Sequence, residues 1–109
     1  MDLSSSAENG ILVVTVNESR IDAAVAIQFK DKMREETEGE AARIILNLSM
    51  VEFIDSSGLG AIVAAMKQLG STRQMDLSCL SENVDRVFRL TRMDTVFQIH
   101  KSLGEALEN

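Results

Sequence analysis

The sequence predicts an α/β fold, a mixed sheet of roughly four to five strands joined by about four helices. Three observations predict it. Apolar runs rich in β-branched residues alternate along the chain with stretches of helical periodicity. The connections between them are short. Breaks are marked by Gly, Asn, Ser and Asp, because the 109 residues include no proline.

The elements follow in order. Glu8-Asn9-Gly10 separates a short polar opening from Ile11-Leu12-Val13-Val14-Thr15-Val16, and Asn-Gly before such a run marks a hairpin. Asp22 suits the N-cap of a helix running to about Glu38. On that helix Val25, Phe29 and Met33 form the buried side, with Lys30, Asp31, Arg34 and Glu35 facing out. Gly39 stops it, and a buried strand covers 43–48. That strand hands over to a second helix from about Ser57 to Leu69, on which Leu59, Ile62, Val63, Met66 and Leu69 share a face. Gly70 fits its left-handed C-terminal cap. Residues 75–79 alternate as a half-buried strand does, with Cys79 a small buried hydrophobe. Ser81 opens a helix that turns Val84, Val87 and Phe88 inward, and a short strand surrounds Phe97 and Ile99. Ser102 and Glu105 form a capping box for a last helix carrying Leu103, Ala106 and Leu107.

Composition narrows the function. The chain reads as one domain, residues 1–109. With 45% hydrophobic and 26% charged residues it is an ordinary globular chain. A net charge of −6 and an aromatic share of 4%, without Trp or Tyr, oppose nucleic acid as a partner. No run approaches a membrane span, and the N-terminal residues lack a signal pattern, so a cytoplasmic location without membrane contact is expected. The single Cys79 excludes an internal disulfide and a multi-cysteine metal site. The six methionines fill an aliphatic core. Arg86, Arg89 and Arg92 read as a solvated face.

The informative segment is Phe53-Ile54-Asp55-Ser56-Ser57-Gly58-Leu59-Gly60. It sets two hydroxyls at a helix start. Glycine in a first helical turn costs roughly 1 kcal/mol relative to alanine, so Gly58 and Gly60 are a poor choice for stability alone. Nucleophilic catalysis by a serine needs a base, and the only histidine, His100, lies far along the chain without a partner pattern. A phosphate cradle needs more than Gly58-Leu59-Gly60, and the nearest lysine, Lys67, sits more than two turns down the helix. A third reading makes a serine the substrate. Phosphorylation adds about −1.5 to −2 charges at the turn, which the helix N-terminus accommodates and a partner surface fitted to a neutral serine does not. Ordinary helix capping by Ser56 and Ser57 is the plain alternative.

The run Asn47-Leu48-Ser49-x-Val51-x-Phe53-Ile54-Asp55-Ser56-Ser57-Gly58-Leu59-Gly60 resembles the signature of STAS domains, in particular the bacterial anti-sigma factor antagonists. Ile21-Asp22-Ala23-Ala24 is similar to the segment that opens the family's first helix. Val84 to Phe97 and Ser102 to Leu107 are similar to its later helices, so the resemblance spans nearly the whole chain. It implies a STAS-type fold with the helices packed mainly on one face of the sheet. It further implies that Ser56 is the phosphoacceptor, with Ser57 a minor acceptor or cap and Asp55 placing the hydroxyl. Asp22, Asp55, Ser56, Ser57, Gly58, Leu59 and Gly60 would meet the partner. The resemblance implies a partner that is both anti-sigma factor and serine kinase. By the same resemblance the unphosphorylated form would bind it and release its client, phosphorylation would end binding, and a metal-dependent serine phosphatase would restore it. No catalysis, cofactor or metal is implied, and the free chain is expected to be a monomer. The alternative is a non-phosphorylated STAS subunit of a lipid-transport or other complex. Arg20, Asn47 and Arg92 depart from the family pattern, which commonly has Gly, Asp and Gly there.

Overall fold

The computed structural model describes residues 1–108. Strands β1 (Leu3–Glu8) and β2 (Ile11–Val16) form the hairpin, turned by Asn9 and Gly10 at φ 54° and 79°. Both angles are positive, as a tight primed turn demands. Then come β3 (Arg20–Ile21), α1 (Ala26–Glu36), β4 (Arg43–Asn47), β5 (Phe53–Ile54), α2 (Ser56–Gln68), β6 (Gln74–Ser78), α3 (Glu82–Leu90), β7 (Ile99–His100) and α4 (Leu103–Glu108). The main sheet runs β1-β2-β4-β6-β7, with β1 antiparallel to β2 and the other neighbours parallel. A second, two-residue pair joins β3 to β5 in parallel.

Register explains which side chains are buried. Val14, Leu46 and Leu77 stand side by side across β2, β4 and β6. On this face the sheet meets Phe29 and Met33 of α1, Ile62 and Ala65 of α2, and Val84 and Phe88 of α3. Phe88 meets Phe97 edge to face at 6.0 Å, an arrangement aromatic quadrupoles favour. Val13, Ile45 and Asp76 line up one residue along and point to the opposite face. There α4 packs against β6 and β7, burying Ala106. Three helices thus cover one face and the last covers part of the other.

Several expected boundaries move. Asp22 does not cap α1. The helix begins four residues later, and its N-cap, Val25, makes no side-chain bond. Asp22 instead accepts the Ala24 N–H at 3.1 Å, shaping the loop that leads in. At the far end Thr37 closes α1 by donating its hydroxyl to the Met33 carbonyl, before Gly39 is reached. The strand expected over 43–48 ends at Asn47, and a turn and β5 intervene before α2. The alternation in β6 does not mean a half-buried strand. Met75, Asp76, Leu77 and Ser78 are all buried, since α4 covers the polar-looking side. Cys79 lies just past β6, half-buried, at φ 63°. Phe97 is buried beyond a short 3-10 turn (Met93–Thr95) and precedes β7.

His100 also has the partner its sequence surroundings hid. Its Nε2 lies 3.0 Å from Asp76 Oδ2, which also accepts from Arg43 Nη2 at 2.7 Å. Gln74 donates to the other carboxylate oxygen at 2.7 Å. Burial alone raises the Asp76 pKa, but these donors outweigh it and hold the carboxyl below its usual value.

Candidate functional site

The conspicuous turn is positioned from two sides. From below, β5 pairs with β3, setting Ile54 beside Ile21 and Phe53 beside Arg20. The Asp55 N–H then reaches the Ile21 carbonyl at 3.4 Å. From within, Asp55 is the N-cap of α2, in extended backbone, and its Oδ1 accepts the Gly58 N–H at 2.8 Å. Its Oδ2 accepts the Ala23 N–H at 3.1 Å, so one carboxylate ties the β3–α1 loop to the start of α2. The Gly58 N–H is the main cause of an Asp55 pKa below the usual range, with slight burial opposing and the Ala23 and Ser57 N–H groups adding.

Because Asp55 does the capping, the serines do not. Ser56 and Ser57 are the first two residues of α2, both exposed, and neither hydroxyl makes a hydrogen bond among the described residues. Helix starts with Asp before Ser-Ser usually read as ambiguous between the three, since all are good caps. The geometry resolves it in favour of Asp55.

The glycines divide. Gly58 is buried, and a Cβ there would overlap the carbonyl of Ile21. Its missing side chain therefore lets α2 lie against β3. Gly60 faces open space and no contact within the chain requires it. Leu59 is half-buried against the core. Asp22 stands one residue from the Ala23 N–H that Asp55 holds, and it pairs with Arg20 at 3.2 Å. The structure thus gathers Asp22, Asp55, Ser56, Ser57, Gly58, Leu59 and Gly60 around one loop crossing.

Two further residues border the loop. Phe53 is 42% exposed, and the Arg20 guanidinium lies over its ring at 4.3 Å. The stack gives Arg20 a structural use in its departure from Gly. In the sequence Phe53 opens the informative segment, but no local pattern marks its ring as the seat of Arg20, thirty-three positions earlier. Asn47, the second departure, contacts Thr15 at 3.4 Å and accepts the Ser49 N–H at 3.1 Å, so its amide serves the end of β4. Arg92 takes up a left-handed conformation at φ 63°, where glycine is the unstrained choice. Arg86 and Arg89 pair with Glu82 and Asp85 of their own helix.

Chemically, the site offers an unengaged hydroxyl at the positive end of a thirteen-residue helix, beside a carboxylate already committed to two N–H groups. His100, with its ring on Asp76, gives the serines no base. The described residues contain no group of three or more His, Cys, Asp or Glu that could hold a metal ion, and no helix long and apolar enough to cross a membrane.

Comparison with known proteins bears on the same segment. The sequence model of the STAS domain matches residues 3–106. A Thermotoga maritima protein named as a proposed anti-sigma factor antagonist is 40% identical over 67 residues, 61% of this chain and 59% of that protein, so the match spans less than two thirds of that relative. The anti-sigma-B factor antagonist of Listeria monocytogenes is 30% identical over 86 residues, 78% of this chain and 75% of that one. A crystal structure of a proposed anti-sigma factor antagonist from Thermotoga maritima superposes with a TM-score of 0.82 at 31% identity, covering 97% of this chain and 92% of that one.

Proposed function

Since the chain belongs to the STAS domain family, we propose that it is an anti-sigma factor antagonist whose binding is switched by phosphorylation of Ser56. The observation that carries this reading is the freedom of the Ser56 hydroxyl. It is exposed at the first position of α2 while Asp55 alone supplies the cap. A kinase can take that hydroxyl without dismantling any bond of the fold.

In the unphosphorylated state the loop crossing presents neutral serines, Gly60 and the Phe53–Arg20 stack to an anti-sigma factor that is also a serine kinase. Binding there releases the client of that kinase. Transfer of a phosphate adds a dianion, which the N-terminal dipole of α2 tolerates. A surface shaped to the neutral serine must desolvate it, at a cost of several kcal/mol unless a new cation pairs with it. A metal-dependent serine phosphatase reverses the step. The role named for the Listeria and Thermotoga relatives supports the reading. So does SpoIIAA, an anti-sigma factor antagonist solved both unphosphorylated and phosphorylated, whose two forms share this fold with TM-scores of 0.74 and 0.66.

The test is intact-mass analysis after incubation with ATP and the anti-sigma kinase from the same genome. One phosphate is expected on the chain, none on Ser56→Ala, and an unchanged gain on Ser57→Ala. Calorimetric binding to that kinase should vanish for the phosphorylated chain. Tight binding with no phosphate gained would instead favour a non-phosphorylated subunit of a larger complex.

A further inference from the structure

The outer edge of β1 is the least protected part of the sheet. Sheet edges are normally blunted by proline, a bulge, a central charge or a very short strand. β1 has none of these between Leu3 and Ala7, and its six residues pair one-to-one with β2. From Ser4 onward every residue is exposed. The direction of its free groups follows from one bond. Asn17 donates its N–H to the Asp2 carbonyl at 2.9 Å, which makes Asp2 and Asn17 a hydrogen-bonded pair. Alternation along an antiparallel ladder then bonds Ser4, Ser6 and Glu8 to β2 and turns the N–H and C=O of Leu3, Ser5 and Ala7 outward.

The rim of this edge is acidic. Asp2 and Glu8 flank the strand, and Glu18 holds the Asp2 N–H at 2.8 Å. Glu36 of α1 accepts the Ser5 hydroxyl at 3.2 Å, which brings its carboxylate to the strand centre. Among the described residues two cations border this edge: Lys32 of α1 lies 3.8 Å from Glu35, and the Met1 ammonium donates to Gln28 at 3.2 Å, so the carboxylates outnumber them. Two copies of β1 paired about Ser5 would set Asp2 against Glu8 at both ends, and such like-charge pairs disfavour a self-complementary dimer. A strand with basic flanks meets the opposite situation.

We propose that β1 is a second docking edge, which takes an extended, lysine- or arginine-flanked segment of another protein as a sixth strand of the sheet. Backbone bonds to Leu3, Ser5 and Ala7 supply register, and the acidic rim selects the partner's charge. No residue of this edge takes part in the Asp55–Gly58 turn, so the inference stands apart from the phospho-switch.

The experiment uses the intact chain and a peptide of alternating valine and threonine with lysines at both ends. Amide hydrogen exchange by NMR should slow at Leu3, Ser5 and Ala7 on titration, and binding should weaken with salt. Ser5→Pro removes an outward N–H that β2 does not use, and Glu36→Lys inverts the central charge. Each should weaken the peptide about tenfold, with the α2 amides unmoved. Should Ser5→Pro fail to fold, Glu36→Lys decides alone. Unslowed exchange at those three amides, equal binding of a glutamate-flanked peptide, or a dimer of the free chain by light scattering would each overturn the proposal.

Discussion

Gly58 sits so close to Ile21 that a Cβ on the glycine would fall within the isoleucine's carbonyl group. The start of α2 and the end of β3 are therefore in backbone contact, and Gly58 is the residue that permits it. Gly58→Ala should destabilise the chain by about 2–3 kcal/mol, because the listener on the other side is backbone and has no rotamer to yield. Gly60→Ala, two residues on, should raise stability by about 0.5–1 kcal/mol, as alanine is the better helix former and has room. Thermal or urea denaturation of the two variants separates these outcomes. A partner that needs close approach at Gly60 will show the second variant to be more stable and weaker in binding.

Asp55→Ala removes a cap and a cross-link at once, since Gly58 and Ala23 both lose their acceptor. A lost cap alone costs about 1 kcal/mol. Loss of the cap should appear in the urea midpoint, while loss of the cross-link should appear as faster amide exchange at Ala23. Ser56→Ala should leave both readouts where they were, since its hydroxyl bonds nothing.

Asp76 predicts a response to acid. Its carboxyl is held below the usual range by Arg43, Gln74 and His100 against its own burial, and Asp55 is lowered chiefly by the Gly58 N–H. A carboxyl with a depressed folded pKa stabilises the native state above its unfolded pKa, and this is lost as pH falls through the folded value. The fall should thus begin below about pH 4, the unfolded Asp value. Urea titrations across about pH 3 to 7, which span that value, should show a shallower fall for Asp76→Asn. At neutral pH Asp76→Ala should cost about 3 kcal/mol, because Arg43, whose side chain is only 17% exposed, loses its ion-pair partner.

Arg92 stands in the left-handed region at the entry to the 3-10 turn, where a Cβ costs roughly 1 kcal/mol. Arg92→Gly should raise the thermal midpoint, and its measurement needs no partner. A fall would mean that the side chain contributes more than the strain removes.

Local signals in the sequence were sufficient for the hairpin, for α2 with its Gly70 cap, for Ser81 capping α3 and for Ser102 receiving the Glu105 N–H. Each depends on residues within a few positions. What escaped was set at long range. Asp22 looks like a cap, yet α1 starts later because Ala23 is held by Asp55, thirty-two positions away. Asp76 and Ser78 read as a solvent face until α4, folded from the far end of the sequence, covers them. The same distance hid the link between Asp76 and His100. At the candidate site the segment itself was legible, whereas the division of labour within it was not, since Asp55, Ser56 and Ser57 are equally plausible caps in one dimension.

The placement of α4 has a practical consequence. It lies on the face of the sheet away from α2, so a fluorophore carried on its exposed Glu105 position would sit behind the molecule. Labelled there, the protein could report encounters at the Ser56 loop with its approach path left open.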